Sequence, residues 1–270
     1  MPSGGSAATV TSVTEVSRLL RALEGVGPTG GRLVRLPADR RVVFVGDTHG
    51  DADASARVLA SYPRPGSVVV FLGDAVDRGP DSVGNLALIL EAKRASPDGV
   101  HLLMGNHEGW AMAPFRPADF WASLASDAAA TVAARLCDLP LAAWHPSGVL
   151  ALHGALPELS RIEEIDRISL GSADWRRVTW GDWSEADVGG TSGDLLGRPC
   201  FGREVFDRIA RRLGIRVLVR SHQPDAPTLL FDDRCLTLFT SCAYGGTRRV
   251  AILEPGRAPR SARDLLLVEL

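Results

Sequence analysis

The chain has 270 residues, 45% of them apolar and 23% charged, which fits a folded domain and excludes a disordered or fibrous chain. Thirty basic against 32 acidic side chains leave a net charge of −2, which argues against a general nucleic-acid or anionic-membrane binder. No apolar run approaches the roughly 18 residues of a membrane span, and the single lysine, Lys93 in EAKRAS, excludes a P-loop with its GK[ST] motif.

The opening MPSGGSAATVTSVTEV has neither a basic nor an apolar leader region, so no signal peptide is expected. Cys137, Cys200, Cys235 and Cys242 form no CxxC pair. They predict neither a zinc finger nor a disulfide framework, and a cytoplasmic setting is the expectation. Residues 1–39 read as an N-terminal extension with one short helix over VTEVSRLLRALEG, where apolar positions recur at helical spacing. From about Arg40 apolar strands run into Gly/Asp loops. RVVFV (41–45) leads into GDTHG, SVVVFL (67–72) into GDAVDRG, and GVHLLM (99–104) into GNHEGW, with amphipathic helices after the first two. Such strands alternating with helices predict an α/β fold with parallel strands covered on both faces. The stretch 110–140 is predicted helical, GVLALHG (148–154) a buried strand, and 155–200 irregular. EVFDRIARRLG is a predicted helix with a glycine stop. The strand IRVLV (215–219) follows, then short strands in PTLLFD, CLTLFT, RRVAILE and DLLLVEL. With no repeat or long linker, residues 40–270 are expected to form one domain.

Ligands of open α/β sheets bind beyond the carboxyl ends of the strands. Five such ends carry polar groups here: Asp47 and His49; Asp74, Asp77 and Arg78; Asn106 and His107; His153; and His222. Hard oxygen donors plus imidazole, without thiolate, suit Mn, Fe or Zn, and suit two ions sharing one carboxylate. Such a pair lowers the pKa of a shared water and clamps a phosphoryl group for in-line attack. His107 can face the leaving group as general acid, with Asp77 holding its ring. Arg78 offers a planar fork matched to phosphate oxygens.

In order, each after a buried strand, GDTHG, GDAVDRG and GNHE, then His153-Gly154 and Arg220-Ser221-His222, resemble the signature of the calcineurin-like metallophosphoesterases. Within them they resemble the phosphoprotein phosphatases. The resemblance runs over about residues 40–245. It implies a β-sandwich of mixed sheets flanked by helices, a four-layer αββα arrangement. It implies two divalent metal ions (Mn, Fe or Zn, with Mn the expected activator in vitro). Asp47 and His49 would hold the first, Asp74 would bridge, and Asn106, His153 and His222 would hold the second. His107 paired with Asp77 would be the proton donor. Arg78 and Asn106 would face the phosphate, as would Arg198 in GRPCFGREVF. Tyr244 in FTSCAYGG matches the tyrosine of the family's C-terminal loop, and Arg220 either touches substrate or is a structural partner of the carboxylates.

The implied activity is hydrolysis of phosphate monoesters by a hydroxide bridging two metals, without a phosphoenzyme. Protein phosphoserine or phosphothreonine is the leading substrate, and no nucleic-acid or membrane partner is expected. The same motifs also resemble symmetrical dinucleoside-tetraphosphate hydrolases. A catalytically inactive scaffold would usually lose ligands, and none is missing here. Departures are visible: Met104 stands where the family has arginine before GNHE, the HGG triplet is His153-Gly154-Ala155, and the SAPNY loop is shortened to SCAY. They suit a bacterial branch of the family.

Other readings are structural. His101 and His145 are expected to be structural or exposed, and Trp121 core. Trp175, Trp180 and Trp183 either line a groove or anchor their segment. Asp51 and Asp53 are expected to favour the start of their helix.

Overall fold

The computed structural model describes residues 12–24, 31–63, 65–186, 192–193 and 197–270. The Gly-rich ends of the expected extension and part of the polar stretch 187–196 lie outside the described residues. Helix α1 (Val13–Glu24) occupies the expected place and packs on a later helix, where Arg18 grips Glu91 through two bonds of 2.8 and 2.6 Å. The chain then alternates: β1 (Leu33–Arg35), β2 (Arg41–Val45), α2 (Ala52–Ser61), β3 (Ser67–Phe71), α3 (Ser82–Ala95) and β4 (Val100–Leu102). Two helices, α4 (Asp119–Ser123) and α5 (Ser126–Leu136), precede the hairpin β5 (Ala142–His145) and β6 (Val149–Leu152). Next come α6 (Ala173–Trp180), β7 (Asp182–Trp183), β8 (Ser192–Gly193), β9 (Pro199–Phe201), α7 (Arg203–Leu213) and β10 (Val217–Arg220). Four strands close the chain: β11 (Leu229–Leu230), β12 (Cys235–Thr237), β13 (Arg249–Leu253) and β14 (Leu266–Glu269).

Two mixed sheets result. One has the order β14-β13-β2-β3-β4, with β2, β3 and β4 parallel and β13 and β14 added antiparallel. The other has the order β1-β5-β6-β10-β12-β11, in which β5/β6 and β11/β12 are the antiparallel pairs. A small third sheet has the order β7-β9-β8.

Alternation within each strand explains the layering, because successive side chains leave a strand on opposite faces. Val42, Phe44, Val68 and Val70 join Val149, Ala151, Val217, Val219 and Leu236 in one buried cluster, the filling between the sheets. Their neighbours Val43, Val45, Val69 and Phe71 face the other way, into a second cluster with Leu86 and Leu90 of α3. Leu150, Leu152 and Leu218 of the second sheet join that cluster too, with Phe206 and Ile209 of α7. Each central strand is therefore apolar on both faces, and helices cover the outer ones. Local signals end the helices where chain turns are needed. Asp51 caps α2 by accepting from Ala54 N at 3.1 Å, Asp81 caps α3 by accepting from Gly84 N at 2.7 Å, and left-handed Gly214 (φ 71°) stops α7.

Some elements differ from expectation. Stretch 110–140 holds the expected helices only from Asp119 on: a 3-10 turn (Glu108–Ala111) and a loop precede α4, and Leu124 and Ala125 separate α4 from α5. Strand β1 lies inside the expected extension, yet pairs with β5, so residues 33–35 belong to the sandwich. The segment expected to be irregular holds a 3-10 turn (Ile162–Arg167), α6 and three short strands. Its helix lacks an aliphatic stripe and is fixed instead by the Ser172 cap and by burial of Trp175 and Val178. Among the described residues no helix is long and apolar enough to cross a membrane.

Candidate active site

The loops after β2, β3, β4, β6 and β10 converge on one edge of the two sheets. Their backbone is strained there: His49, Asp74, Asp77, Arg78 and His222 are all non-glycine residues with φ between 42° and 72°. Such conformations are sparsely populated and persist where surroundings over-determine them. The close approach is visible at two glycines. A Cβ on Gly73 (φ 104°) would lie 2.4 Å from Gly105 N, and one on Gly105 would lie 2.1 Å from Asp74 Oδ1. The GD and GN pairs thus press the β3 and β4 loops together.

Glu108 bolts those loops. Its fully buried carboxylate accepts from Asp74 N and Ala75 N at 2.8 Å each and from Gly105 N at 2.9 Å. Burial, and next the charge on Asp74, push its carboxyl above the ordinary range, against the pull of those three N–H groups. His107 N adds a bond of 2.9 Å to Asp74 Oδ1. Ser221 ties the two sheets: its hydroxyl accepts from Asp47 N at 2.8 Å and donates to Leu238 O at 2.5 Å.

Donor atoms gather within this frame. Asp74 and His153 approach to 3.2 Å, His153 Nε2 and Asn106 Oδ1 to 3.1 Å, and His49 Nε2 and Asp47 Oδ2 to 3.5 Å. Two groups, His49/Asp74/His107 and Asp74/His153/His222, each offer donor atoms that all lie within 4.8 Å of one another, with Asp74 common to both. The His49 and His153 rings bring Nδ1 to the carbonyls of Val76 and Leu72 at 2.8 and 3.1 Å. Those bonds orient the rings so that each Nε2 faces Asp74 Oδ2, at 3.9 and 3.2 Å.

These residues fit a divalent pair. Asp47 Oδ2 and His222 Nε2 are buried without a hydrogen-bond partner, and the donor set is hard oxygen plus imidazole. Burial works against charge on His49 and His153, but the Asp47 and Asp74 carboxylates outweigh it and push both up to about 9. The site therefore holds positive charge by preference. At Asp74, burial is outweighed by His153 and His107, and its carboxyl is held well below the ordinary range. At His222, burial and the neighbouring His153 push the imidazole well down, leaving it neutral and able to ligate.

Beside the donors stands a proton-transfer pair. His107 Nδ1 and Asp77 Oδ2 are 2.6 Å apart, and Asp77 Oδ1 accepts from Phe120 N at 2.7 Å. Asp77 is thus clamped by the first turn of α4, and Trp121 Nε1 donates to His107 O at 3.0 Å. The ring of Phe115 packs edge-on against His107 at 4.6 Å.

All of this opens into a cleft of about 440 Å³, lined by Arg78, Arg198, Asn106, Trp180 and Tyr244 among others. Arg198 is held by Asp182, Nε to Oδ2 at 3.4 Å, and Asp182 Oδ1 lies 3.6 Å from His222 Nε2. Tyr244 OH reaches His49 Nε2 at 3.4 Å, and burial with the Asp47 and Asp74 charges pushes its phenol up to about 12. Arg220 is the exception. It is fully buried and does not line the cleft, so the expectation of a substrate contact is corrected. Its guanidinium instead donates to Ser221 O at 3.2 Å and to Gln223 Oε1 at 2.7 Å, bracing the turn that carries His222. Of the tryptophans in that segment only Trp180 reaches the cleft; Trp175 and Trp183 are core.

Three contributors escape the sequence reading. Glu108 follows His107 directly within GNHE, and Asp182 belongs to a further Gly-Asp pair, Gly181-Asp182, so both carried a signal. Phe115 carried none, because only the fold brings it to His107.

A model of calcineurin-like phosphoesterases matches residues 40–226. A probable serine/threonine-protein phosphatase of Encephalitozoon cuniculi (strain GB-M1) is 30% identical over 80% of this chain and 50% of its own length. The chain spans between 38% and 52% of the length of the curated relatives it matches. Among solved structures, a protein serine/threonine phosphatase from Saccharomyces cerevisiae superposes with a TM-score of 0.78 at 22% identity, covering 95% of this chain and 88% of the other. A putative diadenosine tetraphosphatase superposes with a TM-score of 0.55 at 21% identity over 88% of this chain and 98% of the other. At these identities the two superpositions speak to the fold.

Proposed function

The chain belongs to the calcineurin-like phosphoesterase family, and on that premise we propose that it is a metal-dependent phosphatase hydrolysing phosphate monoesters, with phosphoserine and phosphothreonine in proteins as its substrates. The observation that carries the reading is the Asp77–His107 pair, 2.6 Å apart, beside two donor groups that share Asp74. Asp47, His49 and Asp74 would hold one ion, and Asp74, Asn106, His153 and His222 the other, with Mn²⁺ the proposed activator. When bound, such ions supply Lewis acidity, which lowers the pKa of water and neutralises phosphate charge.

The chain's own residues do the rest. Arg78 and Arg198 line the same cleft and bind the phosphate oxygens, and a guanidinium fork suits that geometry. His107, protonated, gives its Nε2 proton to the departing oxygen. Asp77 keeps Nδ1–H in place and stabilises the imidazolium before transfer. The Phe115 ring beside His107 keeps that proton from solvent.

The test is one plate. Metal-stripped protein is titrated with Mn²⁺, and phosphate release is followed from p-nitrophenyl phosphate, from phosphoserine, phosphothreonine and phosphotyrosine peptides, and from diadenosine tetraphosphate. Mn²⁺-dependent release from the phosphoserine and phosphothreonine peptides is expected. Cleavage confined to the dinucleotide would overturn the reading in favour of phosphoanhydride hydrolysis.

A further inference from the structure

The cleft carries more positive charge than one phosphate needs. Besides Arg78 and Arg198, its lining includes Arg116 and Arg176, both exposed. Among the described residues neither makes an ion pair; the contact shown for Arg176 is to the carbonyl of Gly197, at 3.3 Å. Acids in the lining are Asp74, committed to the donor groups, and Asp225 on the rim next to Gln223 and Pro224. Asp225 also borders the neighbouring hollow that Arg198 and Asp182 line, so the arginines of the cleft outnumber the carboxylates free to answer them.

The leaving group must pass the acid. His107 protonates the leaving oxygen, so the body of the substrate lies over His107. The Phe115 ring sits on His107 at 4.6 Å, and Trp180 meets Phe115 edge-on at 5.3 Å. Arg116 is the next residue after Phe115. Arg176 lies four residues before Trp180 in α6, and residues four apart share a helix face. Two arginines therefore flank an aromatic ledge directly beyond the acid.

We propose that Arg116 and Arg176 select substrates whose phosphorylated residue is flanked by acidic side chains, which meet these arginines while the peptide crosses the Phe115–Trp180 ledge. The inference rests on the reading of the site as a protein phosphatase and names its substrate class. A carboxylate on each side of the phosphoresidue pairs with one guanidinium. Such exposed pairs are individually weak and screened by salt.

The experiment compares Mn²⁺-loaded protein on three phosphothreonine peptides that differ only in having acidic, neutral or basic flanks. Expected is a preference in kcat/KM of about 3- to 10-fold for acidic over neutral flanks, carried in KM, that collapses in 0.5 M salt. Arg116→Glu and Arg176→Glu should each shrink the acidic-to-basic ratio, and the double variant should invert it. Inversion is a readout that mere loosening of the loop or helix would not produce. Equal use of all three peptides, or a ratio untouched by both reversals, overturns the inference and leaves phosphatase activity standing. Turnover of diadenosine tetraphosphate with none of the peptides would sink the underlying reading and this inference together.

Discussion

His107 is the residue on which the mechanism turns, and its surroundings make its role measurable. His107→Ala should lower kcat on phosphothreonine peptide by about 10²–10⁴, the ordinary range for a positioned acid. The loss should shrink on p-nitrophenyl phosphate, whose leaving group needs little protonation. His107 Nε2 also lies 3.8 Å from Asp74 Oδ2, within reach of the first donor group. Proximity alone does not separate acid from ligand. Calorimetric titration with Mn²⁺ does: an acid's removal leaves two ions bound, and a ligand's removal weakens one. At this scale the sequence was informative where chemistry sits at a strand end. Asp47, Asp74 and Asn106 could be read from motifs because an apolar strand plus Gly-Asp or Gly-Asn marks the place, and His153 and His222 because each comes just after an apolar strand, in LALHG and VLVRSH. Arg220 could not be placed. Its position beside His222 is equally compatible with a contact and a brace, and its burial with the bonds to Ser221 O and Gln223 Oε1 decides for the brace.

Between elements, Glu108 does what no strand pairing does. It joins the turn after β3 to the turn after β4 through three N–H groups, without a side-chain partner of opposite charge. Glu108→Ala leaves those donors buried and unpaired, so unfolding in urea should show a loss of about 3–5 kcal/mol. Glu108→Gln, which keeps one acceptor oxygen, should recover part of it. On β4 itself, His101 supplies a pH dependence. Burial and then the Lys93 ammonium hold its imidazole down at about 4, against 6.5 for the free side chain. The unfolded chain therefore takes up the proton first as pH falls, and stability is lost between those values. Lowering the pH from 7 to 4.5 should cost about 2 kcal/mol through this group. His101→Gln should remove that share of the difference between the two urea curves. Elements were legible in proportion to their aliphatic pattern. β2, β3, β6 and β10 announce themselves, and α7 shows both its stripe and its glycine stop. β5 (AAWH) offers no β-branched residue, and β1 has three residues only. α6 is held by tryptophan burial that no period reveals.

Across the whole molecule, the donor groups tie both sheets to one charge cluster. Asp47, Asp74 and Asn106 follow strands of one sheet, and His153 and His222 follow strands of the other. An ion bound there bridges the two. Added at about 100 times its Kd, Mn²⁺ should stabilise the folded state by about 2.7 kcal/mol. For a chain of this size that raises Tm by roughly 5–10 °C, readable by scanning calorimetry of metal-stripped protein. Asp74→Asn should abolish most of the rise, since that carboxylate serves both groups. The layering that builds this edge has a consequence of its own. Because Val42 and Phe44 face one apolar cluster and Val43 and Val45 the other, sliding β2 by a single residue would swap oily side chains for oily side chains. Polarity, which pins most half-exposed strands, has no grip on such a slip. Alignment must come from contacts that tolerate no displacement, and those lie at the strand ends: for β2, Gly46 against the Leu238 carbonyl and His49 N on Asp74 O at 2.8 Å, and for β3 and β4, Gly73 against Gly105 and the Glu108 carboxylate across their two loops. The reactive edge is thus also the gauge by which the strands are indexed. Evolution cannot freely redraw these loops to suit new substrates; it is left to vary the rim beyond them, where Arg116 and Arg176 stand.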